Sequence, residues 1–119
     1  MAVHNKTPRK DIEIHRGAPK PVVLQVRSSG TLQAFTSAVR MRAFYGSVTI
    51  NLTVGSGITL ETAESIANGQ ATITLTETQS RTVPDGPLMV YELEDGAPGA
   101  ETPVMMGRLI GVGGYNADD

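Results

Sequence analysis

The chain has no cysteine and no tryptophan among its 119 residues. The first absence excludes disulfides, a thiolate nucleophile and thiolate-bound zinc. It also favours assembly in a reducing cytoplasm, because secreted domains of this size often carry bridges. The second removes the broadest platform on which a sugar or base could stack. Phe35, Phe44, Tyr45, Tyr91 and Tyr115 are the entire aromatic stock, and parity along the chain places Tyr45 and Tyr91 on core faces.

Histidine is nearly as scarce, with only His4 and His15. A metal site needs three or four converging ligands, and no spacing of His, Asp and Glu offers them. A serine nucleophile needs a base, and both candidate bases lie at the start of the chain. The serine in "VGSGI" lacks the nucleophile-elbow spacing and reads as a turn. "GVGGYN" fails the dinucleotide fingerprint, since its glycine spacing is wrong and no helix follows. Glu92 and Glu94 share one strand face, but alternation leaves both exposed, unlike a cleft-bound acid–base pair. Neither a catalytic residue nor a cofactor or metal site is expected, and the chain reads as a non-enzyme.

No apolar run approaches the roughly 20 residues that span a bilayer. The opening "MAVHNKTPRKDIEIHRG" is polar and has none of the apolar stretch of a signal peptide. Synthesis in the cytoplasm, without a membrane partner, is the expectation.

What is present is alternation. The apolar fraction of 39%, with 13 glycines, is enough for one ordinary core and argues against disorder along the whole length. "DIEIHR" alternates Ile12 and Ile14 with polar residues, and "VVLQVR" places Val22, Leu24 and Val26 on one face. Val39, Met41, Ala43 and Tyr45 alternate with Arg40, Arg42 and Phe44. "VTINLTV" puts Val48, Ile50, Leu52 and Val54 inward, and its density of Thr and Val suits a pleated surface. Asn68-Gly69 signals a hairpin, because both residues tolerate positive φ. "ATITLT" then alternates into Thr76-Glu77-Thr78-Gln79, a capping-box pattern for a short helix. Pro84-Asp85-Gly86 turns the chain into "LMVYELE", with Met89, Tyr91 and Leu93 inward. "VMMGRLIGV" is the last strand.

These signals predict an all-β fold: a two-layer antiparallel β-sandwich, immunoglobulin-like or jelly-roll-like, with 7–8 short strands and one short helical turn. Residues 1–11 read as a flexible basic N-terminal arm, 12–114 as the sandwich domain and 115–119 as a polar tail.

Charge is unevenly spread although its net value is only −2. Residues 1–42 hold eight of the ten Lys and Arg against Asp11 and Glu13, while residues 43–119 hold Arg81 and Arg108 against ten carboxylates. Such a split fits nucleic-acid contact, complementary packing between copies, or simple interleaving of the two halves in space. Stacking residues are missing beside the basic ones, which disfavours single-stranded nucleic acid.

The stretch "AVRMRAFYGS…SGITLE…GQATITLTETQSRTVPDGPLMVYELEDG…VMMGRLIGV" resembles a pattern of tailed-bacteriophage structural proteins. It is similar to the small β-sandwich domain at the N-terminus of baseplate upper proteins. Val39-Arg40-Met41-Arg42, Gly57-Ile58-Thr59, Ile73-Thr74-Leu75-Thr76, Val83-Pro84-Asp85-Gly86, Tyr91-Glu92-Leu93 and Gly107-Arg108-Leu109-Ile110 carry the likeness, which spans residues 12–112. "GAPKP" at 17–21 departs from that pattern, and residues 1–119 hold none of the stalk and receptor-binding module usual after the domain. The resemblance therefore implies a virion attachment or adaptor unit in the tail or baseplate, made in the host cytoplasm. Its partners would be other virion proteins and copies of itself, without a small-molecule substrate. Capsid decoration and a generic adhesion or ligand-binding module are the alternative expectations. Lys6, Arg9, Lys10 and Arg16 are the candidate partner-binding residues.

Overall fold

The computed structural model describes residues 8–25, 27–28, 31–32, 35–60, 70–96, 99 and 102–113. Its strands are β1 (Ile12–His15), β2 (Val22–Gln25), β3 (Arg27–Ser28), β4 (Thr31–Leu32), β5 (Arg40–Tyr45), β6 (Val48–Val54), β7 (Gly57–Thr59), β8 (Gln70–Ile73), β9 (Met89–Asp95) and β10 (Thr102–Val112). Among the described residues one helix, α1 (Glu77–Arg81), lies between β8 and β9. The Asn68-Gly69 hairpin signal falls outside the described residues.

Eight strands form one sheet in the order β1-β10-β9-β5-β6-β7-β8-β2, and β3 pairs with β4 separately. Laid flat, the edges of such a sheet would stand roughly 34 Å apart at about 4.8 Å per strand. Yet Ile12 and Ile14 on one edge strand and Leu24 on the other belong to the same buried cluster. The sheet is strongly curled into a half-barrel around one core. The expected two-layer antiparallel sandwich is thus corrected on two points. A division into two layers is not clear, and the sheet is mixed, because β1 runs parallel to β10.

A second parallel contact, Thr53 with Gly57 and Val54 with Ile58, joins β6 to β7 across a two-residue link. A true parallel ladder needs a crossover of a dozen residues or more. This contact is instead a tight corner, closed by Gly55 N–H to the Ile58 carbonyl and Ser56 N–H to the Thr53 carbonyl. It separates the five strands β1, β10, β9, β5 and β6 from the three strands β7, β8 and β2.

Most inward residues are those the alternation indicates. Met41, Ala43, Ile50, Leu52, Ala71, Ile73, Met89, Tyr91, Leu93 and Leu109 are buried. Two are exceptions: Val54, which ends β6, is 37% exposed, and Tyr45 is 43% exposed. Tyr45 ends β5 beside the two-residue Gly46-Ser47 hairpin, where it pairs with Val48 and no further core lies beyond it. Gly46 enables that turn with φ 60.

The capping box forms as its pattern predicts. Thr76 Oγ1 accepts from Gln79 N–H at 3.0 Å, and Gln79 Oε1 accepts from Thr76 N–H at 2.9 Å. Ser80, the buried polar residue of α1, donates to the Glu77 carbonyl at 2.7 Å and accepts from Gly17 N–H at 2.9 Å.

Candidate interaction surface

Of the four basic candidates, Lys6 lies outside the described residues. The end of the expected arm, Pro8 to Lys10, runs along β10: Lys10 N–H donates to the Met106 carbonyl at 2.9 Å, and Met106 N–H donates to the Pro8 carbonyl at 3.0 Å. Arg9 is exposed beside Met106. Lys10 is exposed too, but its carbonyl is bound inside the fold, accepting from Tyr91 Oη at 2.6 Å.

Arg16 has an intramolecular task. Its guanidinium donates to the carbonyls of Gly113 (2.9 Å) and Val83 (3.2 Å) and to Asp85 Oδ1 (2.6 Å). This clasp ties the end of β1 to the α1–β9 link and to the end of β10. Arg9 lies beside Met106 and Arg16 beside Val112. Six residues of strand separate those positions, about 20 Å. The structure does not gather Arg9 and Arg16 into one patch.

A different cluster emerges on the outer face of the sheet. Register places Arg40 opposite Glu94, Arg42 opposite Glu92 and Phe44 opposite Val90. Arg40 Nε stands 3.6 Å from Glu94 Oε1, and the Arg42 guanidinium lies 5.9 Å from the Phe44 ring centroid. On the next strand Arg108 pairs with Val90 and Met106 with Glu92. The Arg108 N–H donates to Asp11 Oδ1 at 3.1 Å. The basic first part of the chain and its acidic second part therefore interleave where β5 lies beside β9.

Glu92 and Glu94 are half-buried on this face rather than exposed. Alternation identifies the face but not the crowding from β5 and β10 on either side. Burial, then the hydrogen bond and charge of Glu94, push the Glu92 carboxyl above its ordinary range; Arg42 opposes them. Sequence reading missed Arg40, Arg42, Phe44 and Val90 as a unit with the glutamates. Each alternates visibly, but only the strand register joins them.

A cleft of about 350 Å³ opens between the β6–β7 corner and α1, lined by Ser56, Thr59, Thr74, Thr76 and Gln79 over Leu52 and Leu75. Thr76 and Gln79 already serve the helix cap, and among the described residues no acid, base or aromatic lines the cleft. Among the described residues no group of three or more His, Asp or Glu could hold a metal ion. No family model, curated protein or solved structure matches the chain.

Proposed function

We propose that the chain is a non-enzymatic structural protein of a tailed-phage virion, an attachment or adaptor unit in the tail or baseplate. On this reading the curled sheet is an opened form of the small sandwich domain that its motifs resemble, with the β6–β7 corner marking where the layers would part. The observation that carries the reading is the sheet with two unclosed ends. Among the described residues β1 pairs only with β10 and β2 only with β8. An unclosed strand offers amides and carbonyls to a neighbouring chain. Assembly by such edges uses surfaces and no reactive side chain. The N-terminal segment that joins β10 at Pro8 adds Arg9 and Lys10 beside the β1 edge.

Immunogold electron microscopy on purified particles, with antibody against this chain, tests the proposal. Label at the tail tip or neck supports it. Label over the head makes the chain a capsid decoration protein instead. Intact and disrupted particles that both stay unlabelled overturn the virion reading and favour the adhesion module.

A further inference from the structure

We infer that the outer face of β5 and β9 docks onto the same face of a second copy of this chain. The inference stands on the sheet face alone and does not depend on the virion reading. Its basis is the order of residues in three successive rows. Arg40 pairs with Glu94, Arg42 with Glu92 and Phe44 with Val90, with both arginines and the phenylalanine on β5 and both glutamates and the valine on β9.

Consider two such faces packed with strands nearly aligned, about 10 Å apart. A twofold axis parallel to the strands, set above the seam between β5 and β9, exchanges the two columns and preserves height along them. Each Arg40 then faces a Glu94 of the second copy, each Arg42 faces a Glu92, and each Phe44 faces a Val90. Every contact occurs twice, as an isologous interface requires. A column of one sign beside a column of the other is self-complementary under this one operation.

The surroundings favour a copy of the chain over a polyanion. Among the described residues, Arg9, Arg40, Arg42 and Arg108 on this side of the sheet are balanced by Asp11, Glu13, Glu92 and Glu94. A nucleic-acid surface would instead show an excess of positive charge. Phe44 is 38% exposed and Leu88, just before β9, is 53% exposed, giving the face an apolar end. Charged rows next to an apolar end also fix the register. A partner slipped by one row sets a charged side chain against Phe44 or Val90, and one shifted sideways by a strand sets like charges together.

Sedimentation velocity on the full chain tests this. The wild type is expected at twice the monomer mass of 12.6 kDa at high protein concentration. Arg42→Glu or Glu92→Arg alone sets like charges opposite each other across the axis and weakens association by at least about tenfold. The double exchange Arg42→Glu with Glu92→Arg restores the dimer. Phe44→Lys, at an exposed position, tests the apolar end without opening the core. Circular dichroism melting checks that each variant is folded. A wild type that stays monomeric at its highest soluble concentration overturns the inference and leaves this face to an unlike partner. A dimer that persists in folded Arg42→Glu and Phe44→Lys also overturns it and moves the contact to another surface, such as a strand edge.

Discussion

Tyr91 and Lys10, 81 positions apart, are joined by a hydrogen bond of 2.6 Å from the phenol to the backbone carbonyl. The ring is buried against the core while its hydroxyl reaches the segment that enters the sheet before β1. Burial, with a smaller contribution from the Asp11 charge, pushes the phenol well above its ordinary value. Tyr91→Phe keeps the ring and loses the bond, so a cost of about 1 kcal/mol at neutral pH is expected. The neutral phenol is the form the fold favours. Its contribution is therefore full below about pH 10, the ordinary tyrosine value, and is lost as pH rises toward the folded value. Urea midpoints measured between pH 8 and pH 11 should fall more steeply for the wild type than for Tyr91→Phe (about 10 being the reference phenol value).

Gly107 makes that bond possible. A Cβ at this position would lie 2.1 Å from the Lys10 carbonyl oxygen and 3.1 Å from the Tyr91 ring. Backbone must shift, so Gly107→Ala should destabilise by about 1–3 kcal/mol, as overpacked cores do. Hydrogen exchange distinguishes the mechanism: the Lys10 amide should lose protection before the amides of β5 and β6. Uniform loss across the sheet would contradict it.

The Arg16 clasp should be asymmetric. Arg16→Ala removes donors from two backbone carbonyls as well as from Asp85, with an arginine side chain only 16% exposed. A cost of about 1–3 kcal/mol is expected. Asp85→Ala removes the ion pair, on a carboxylate 55% exposed, but leaves both Arg16–carbonyl bonds in place, and should cost under about 1 kcal/mol. Equal thermal shifts for the two variants would mean that the carbonyl bonds contribute nothing.

Thr76 begins the short helix through a reciprocal pair of bonds with Gln79. Thr76→Ala should cost about 1 kcal/mol, and Thr76→Ser should recover most of it. Chemical denaturation of the three proteins checks this, and a serine variant as weak as the alanine would count against the cap.

Glu92 should set a pH dependence opposite to that of a salt-bridged carboxylate. Its pKa is raised from 4.5 chiefly by burial, so the protonated form is favoured by folding. That contribution is full below the ordinary glutamate value and is lost as pH rises through the folded value. Glu92→Gln should therefore melt at or above the wild type at neutral pH, and the wild type should close the gap in mildly acid solution. Melting curves at concentrations too low for self-association provide the measurement. A gap that widens on acidification would reverse the sign and refute the assignment.

Much of the architecture is legible from residue order because its causes are local. The alternation of Ile50 and Leu52 with Thr49 and Asn51, the Gly46 turn and the Thr76 cap each depend on neighbours within a few positions. Tyr45 shows the limit of parity, since a residue at a strand end can point inward where no core remains. The mixed order of the sheet, its curl at the Gly55-Ser56 corner, the diversion of Arg16 into a clasp and the rows joining Arg42 to Glu92 were decided by tertiary structure alone. These features depend on which strands become neighbours and in what register. That choice is made by closing one core from distant segments, and no short window of sequence contains it.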